Sequence, residues 1–106
     1  MSRNKREPEK SCIDDLCSVL CDIRQPEQMR IFLDEILTPA ERKDLSLRWQ
    51  LMKMLQQGFP QRQIAAQLGV SLCKITRGAK ILKNNQSVSK QYLIAGDKNG
   101  PKDSTK

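Results

Sequence analysis

Apolar residues recur at i, i+3, i+4, i+7 and i+8 in two successive stretches: Ile13, Leu16, Cys17, Leu20, Cys21, and then Met29, Phe32, Leu33, Ile36, Leu37. That period gathers each set on one face of a helix, and no strand, with its period of two, can use it. The remainder of the 106 residues carries no alternating pattern, no internal repeat and no low-complexity tract. The spacing predicts an all-α chain of about six helices.

The helix boundaries are written in local chemistry. Residues 1–10, charged and holding Pro8, read as a flexible basic arm. Ser11 is the expected N-cap of the first helix, with Asp14 three residues on. Gln25-Pro26 interrupts the pattern, because the residue before proline disfavours helical dihedrals. Thr38-Pro39-Ala40-Glu41 places threonine at N-cap, proline at N1 and glutamate at N3, the chemistry of a capping box. A third helix should run from there to about Gln57 and stop at Gly58. Its Leu45, Leu47, Trp49, Leu51, Met52, Met54 and Leu55 are apolar on more than one side, as in a helix central to a core or covered by a partner chain. A fourth helix spans Gln61 to Leu68 and ends at Gly69. A fifth, capped by Ser71, spans Leu72 to Lys83 and ends at Asn84-Asn85, and a short sixth covers Val88–Ile94. Residues 95–106 have the composition of a disordered tail, which leaves 11–94 as the folded domain.

Charge is divided unevenly along the chain. The net charge is +7, and all of it falls after residue 57; between Gly58 and Ile94 stand Arg62, Lys74, Arg77, Lys80, Lys83 and Lys90 without an acidic residue. Such a segment suits a polyanion, although a solvated basic face has the same composition. The chain has no histidine, which excludes histidine-based triads, dyads and zinc sites. With no other acid–base or nucleophile constellation, an enzyme is not expected. Nothing in the sequence has the apolar run of a signal peptide or a membrane span, so a cytoplasmic protein with no membrane partner is expected. Cys12, Cys17, Cys21 and Cys73 should then be reduced, and are expected to pack as small hydrophobes rather than bind metal.

The segment from Gln61 to Arg77 has helix-turn-helix spacing. Ile64, Leu68 and Ile75 would pin the two helices, Ala65 is small where they cross, Gly69 takes the turn, and Val70 fills the angle between them. Projected at 100° per residue from Lys74, Ile75, Gly78, Ala79 and Leu82 fall on the core side. Cys73, Thr76, Arg77, Lys80 and Lys83 fall on the outer side, a mixture of cations and small polar groups suited to a recognition helix in the major groove. Gly78 costs about 1 kcal/mol relative to alanine in mid-helix, so something should approach it closely. Arg77, Gly78 and Ile81 could line a small pocket on the inner flank of this helix; from these residues alone, plain helix packing is the better reading.

At this point the sequence resembles the tryptophan repressor family. The strings that carry the resemblance are Leu37-Thr38-Pro39-Ala40-Glu41-Arg42, Arg48, Gln61-Arg62, Ile75-Thr76-Arg77-Gly78 and Leu82-Lys83. It covers roughly residues 11–94 and is strongest over 37–83. It implies an intertwined helical homodimer that binds double-stranded operator DNA when L-tryptophan, its corepressor and only small-molecule ligand, fills a pocket beside the helix-turn-helix. By this resemblance the indole lies between Arg48 and Arg77, and Gly78 leaves room for the ring. Thr38 and the backbone carbonyls around Glu35 and Leu37 of the partner chain would fix the amino-acid end. Gln61, Arg62, Ser71, Leu72, Cys73, Lys74, Thr76, Lys80 and Lys83 are the expected DNA-facing residues, with Arg62 a candidate for guanine. Three departures stand out: Ile81 replaces a serine near the ligand amino group, the Gly58-Phe59-Pro60 connector is one residue shorter, and Ala65 replaces a lysine. The function implied is repression of tryptophan-synthesis or transport genes; Ile81 motivates the alternative of a related regulator with another effector or none.

Overall fold

The computed structural model describes the backbone of residues 10–105 and the side chains of residues 12–96. All of its regular structure is helical: α1 Lys10–Asp22, α2 Pro26–Ile36, α3 Pro39–Gln56, α4 Gln61–Leu68, α5 Leu72–Lys83 and α6 Val88–Thr105. No strand occurs among the described residues. The chain divides into two units, residues 1–42 and 43–106.

The first unit contains α1, α2 and the entry into α3. Gln25 is extended and Pro26 occupies the first turn of α2, as its missing N–H and fixed φ favour. α1 begins at Lys10, so Ser11 lies inside the helix and is not its N-cap. The expected arm, apart from Lys10, lies outside the described residues. The capping box at Thr38 is formed: Thr38 N–H donates to Glu41 Oε1 at 2.8 Å, and Glu41 N–H donates to Thr38 Oγ1 at 3.1 Å. Just before it, Arg42 Nη1 donates to the carbonyls of Leu37 at 3.0 Å and Asp34 at 3.3 Å, tying the α2–α3 corner to the first turn of α3. No described residue of α1 or α2 is buried. Ile13, Val19, Ile31 and Ile36 are exposed. Cys12, Cys17 and Cys21 are exposed as well, and so is Cys73 of α5, which corrects the expectation of buried thiols. Cys17 and Cys21 stand four residues apart on α1 as read, but neither is buried among the described residues.

The second unit holds the core. Leu51, Met52 and Met54 of α3, Ile64 of α4, Ile75 and Leu82 of α5 and Leu93 of α6 are buried in one cluster, with Leu55, Phe59, Ala65, Leu68, Val70 and Ile81 packed around it. Ile64 and Ile75 are fully buried and come from the two helices of the expected motif. Leu45 and Trp49, on the earlier turns of α3, are 50% and 42% exposed. α5 packs on both α4 and α6. α6 is nucleated by Ser87, whose Oγ accepts from the Lys90 N–H at 3.0 Å. It runs on to Thr105, well past the expected end at Ile94.

Candidate effector cleft and nucleic-acid face

α4 and α5 are joined by a turn whose geometry is set residue by residue. Gly69 closes α4 with φ +66°, in the left-handed region where glycine has no steric penalty, and its N–H donates to the Ala65 carbonyl at 2.9 Å. Ser71 then opens α5, its Oγ accepting from the Lys74 N–H at 3.3 Å. The hydroxyl of Ser71 therefore has a structural duty alongside the DNA-facing one expected of it. Gly58, at φ +92°, makes the corresponding break after α3.

The resulting α4–α5 surface has a clear division of faces. Ile75, Gly78 and Leu82 are buried and Ala79 is half-buried, as the 100° projection requires. Gln61, Arg62, Ser71, Leu72, Cys73, Lys74, Thr76, Lys80 and Lys83 are all exposed. Within this exposed set the charged members are Arg62, Lys74, Lys80 and Lys83, and no carboxylate stands between Gly58 and Ile94 to oppose a phosphate. A helix with cations and small polar groups on one open side, held by a buried opposite side, is mechanically able to enter a major groove.

Behind that face lies a cleft between α3 and α5, lined by Arg48, Leu51, Met52, Lys74, Arg77, Gly78 and Ile81. The spacing explains the grouping: Arg48, Leu51 and Met52 stand at i, i+3, i+4 on α3, and Lys74, Arg77, Gly78 and Ile81 at i, i+3, i+4, i+7 on α5. Four of the residues expected to meet the ligand, Arg48, Arg77, Gly78 and Ile81, are thus brought together. Lys74, Leu51 and Met52 join them without having been expected there; the shared stripe with Arg77 and Ile81 is the signal that could have found Lys74. Glu35, Leu37 and Thr38 belong to the other unit of the chain. Glu35 and Thr38 are exposed and Leu37 is half-buried, its carbonyl accepting from Arg42.

The enclosed part of the cleft is about 30 Å³, room for little more than a water molecule. A drug-sized ligand needs roughly 300 Å³ or more, so the cleft admits one only if lining side chains such as the exposed Arg48, Lys74 and Arg77 move aside. A second, wider hollow of about 560 Å³ shares Arg77 and Ile81 with the cleft and continues along Lys80, Asn84, Ser87, Val88 and Ser89 to the start of α6. Gly78 is accounted for by packing. A Cβ there would sit 3.0 Å from Leu51 Cδ1 and 3.2 Å from Leu55 Cδ1. The close approach that its mid-helix cost implied is the approach of α3 itself.

The described residues contain no group of three or more histidine, cysteine or acidic side chains placed to hold a metal, and no helix long and apolar enough to cross a membrane. The family model described as Trp repressor protein matches residues 11–95. Among curated proteins, a Trp operon repressor homolog of Xylella fastidiosa is 39% identical over 71 residues, covering 66% of this chain and 77% of its own. One from Chlamydia trachomatis is 37% identical over 79 residues, covering 70% and 81%. Another, from Vibrio campbellii, is 32% identical over 88 residues, covering 82% and 88%. No solved structure matches the chain significantly. The family match spans the helix-turn-helix, the cleft and the capped start of α3 together, and the chain belongs to the Trp repressor family.

Proposed function

We propose that this chain is a cytoplasmic, homodimeric repressor that binds operator DNA through α4 and α5 and is gated by L-tryptophan in the α3–α5 cleft. The coarse part of this reading follows from the family, which is one of DNA-binding transcriptional regulators and not of enzymes. The relatives carry the name Trp operon repressor homolog, which supports genes of tryptophan synthesis or transport as the targets. The observation that carries the gating is the position of Arg77: it stands on the recognition helix and lines the cleft. A planar guanidinium stacks on an aromatic ring, which an ammonium does not do as well, and Arg48 offers a second one on the opposite helix.

Dimerisation is supported by apolar surface without a cover. Among the described residues α1 and α2 bury none fully, and Leu45 and Trp49 of α3 are exposed. Amphipathic helices of this kind gain their stability from packing against another body. In such a dimer, Glu35, Leu37 and Thr38 of one chain would meet the cleft of the other.

The effector then works by population shift. It binds better to the state in which the two reading heads suit successive major grooves, and DNA affinity rises by that differential affinity. Helix-turn-helix dimers, of which Trp repressors are a standing example, place their two heads about 34 Å apart. Arg77→Ala tests the assignment. It should lose the heat of L-tryptophan binding in calorimetry and part of the DNA affinity together; unchanged effector binding would remove Arg77 from the pocket. The second reading, a regulator with a different effector or none, is favoured by one observation: Ile81 presents an apolar wall to the cleft.

A further inference from the structure

Residues 71–76 form the head of α5, the end from which a helix in the major groove presents side chains to base edges. Bases are read there mainly through hydrogen bonds, by arginine, lysine, asparagine, glutamine and carboxylates. The head of α5 offers little of that chemistry. Ser71 Oγ already accepts from the Lys74 N–H at 3.3 Å. Lys74, the one charged side chain of the six, lines the α3–α5 cleft. Ile75 is fully buried. The outward set is then Leu72, Cys73 and Thr76: a leucine that is 53% exposed, a thiol of small hydrophobic character, and a hydroxyl that carries a methyl. Leu72 and Thr76 stand four residues apart and share a face of the helix. Exposed cations follow at Lys80 and Lys83, where phosphate contacts would fix the register of the helix without specifying a base.

We propose that Leu72 reads the 5-methyl group of a thymine, with the Thr76 methyl beside it, so that the head of α5 selects its site by apolar contact. Of the four bases, thymine alone presents an apolar group in the major groove. Bringing that methyl onto the exposed leucine removes apolar surface of both from water. The inference rests on α5 being the reading helix of a DNA-binding protein.

A duplex fragment enriched by the full chain from a pool of random sequence, with L-tryptophan present, supplies the probe. Each thymine in it is replaced in turn by deoxyuridine, which keeps the base pair and loses only the methyl, and affinity is read by anisotropy at one fixed salt concentration. At one thymine of each half-site the replacement should weaken binding about fourfold, the scale of one methyl-sized group removed from water. Leu72→Ala, at an exposed position, should bind the thymine and deoxyuridine fragments equally. Undiminished binding of every deoxyuridine fragment would overturn the thymine contact while leaving α5 as a reading helix. A fourfold loss that persists in Leu72→Ala would take the contact away from Leu72. Enrichment of no sequence at all would overturn the contact and the DNA reading together.

Discussion

Gly78 shows how one residue answers to two neighbours. It lines the cleft, and it lets α3 pass within van der Waals reach of α5. Gly78→Ala gains about 1 kcal/mol of helix propensity and loses about 1–3 kcal/mol to overpacking, because Leu51 is fully buried and has little room to yield. A net loss of about 1 kcal/mol in urea unfolding is expected; a gain in stability would show that the helix crossing relaxes freely. Arg62 is exposed on α4, so its substitution tests contact with DNA and not folding. If it reads guanine, Arg62→Ala should cost about 1–3 kcal/mol and relax specificity at one base pair. A loss that is uniform across operator variants would make it a phosphate contact.

The helices themselves were largely legible, because their ends are set by short-range chemistry. The Thr38–Glu41 box, Pro26, Gly69 and Ser71 each act within four residues of their own position, and each marks an end of a helix in the structure. Thr38→Ala should therefore destabilise the fold by about 1 kcal/mol, read as a lowered urea midpoint with an unchanged slope. A change in the slope would point to a role beyond the cap. What periodicity does not reveal is which face of a helix finds a cover. Cys17 and Cys21 sit four residues apart on one face of α1 and are exposed nonetheless, since burial depends on elements far away in sequence. The same holds for the cleft. Arg77, Gly78 and Ile81 could be grouped from the turn of one helix, whereas Leu51 and Met52 join them only through the crossing with α3. Lys74 was legible as a DNA-facing cation and not as a wall of the cleft, because it stands at the boundary of the two faces.

At the scale of the whole molecule, the exposed apolar residues of the first helices bear on the proposed dimer and the one-sided charge on the proposed DNA partner. The first unit has amphipathic helices with no buried residue among those described, and the second has a core whose α4–α5 surface bears cations without acids. Sedimentation equilibrium should find the 12.1 kDa chain as a dimer at micromolar concentration. Trp49→Glu should shift it toward monomer; a monomeric parent chain would contradict the dimer. In the proposed repressor one cleft and one reading face are coupled through Arg77. The most direct test is the anisotropy of a labelled DNA fragment from upstream of tryptophan-synthesis genes, titrated with the full chain at one fixed salt concentration, with and without L-tryptophan. The account predicts sequence-specific binding that tightens when L-tryptophan is present. Specific binding of equal strength with and without it would contradict the coupling.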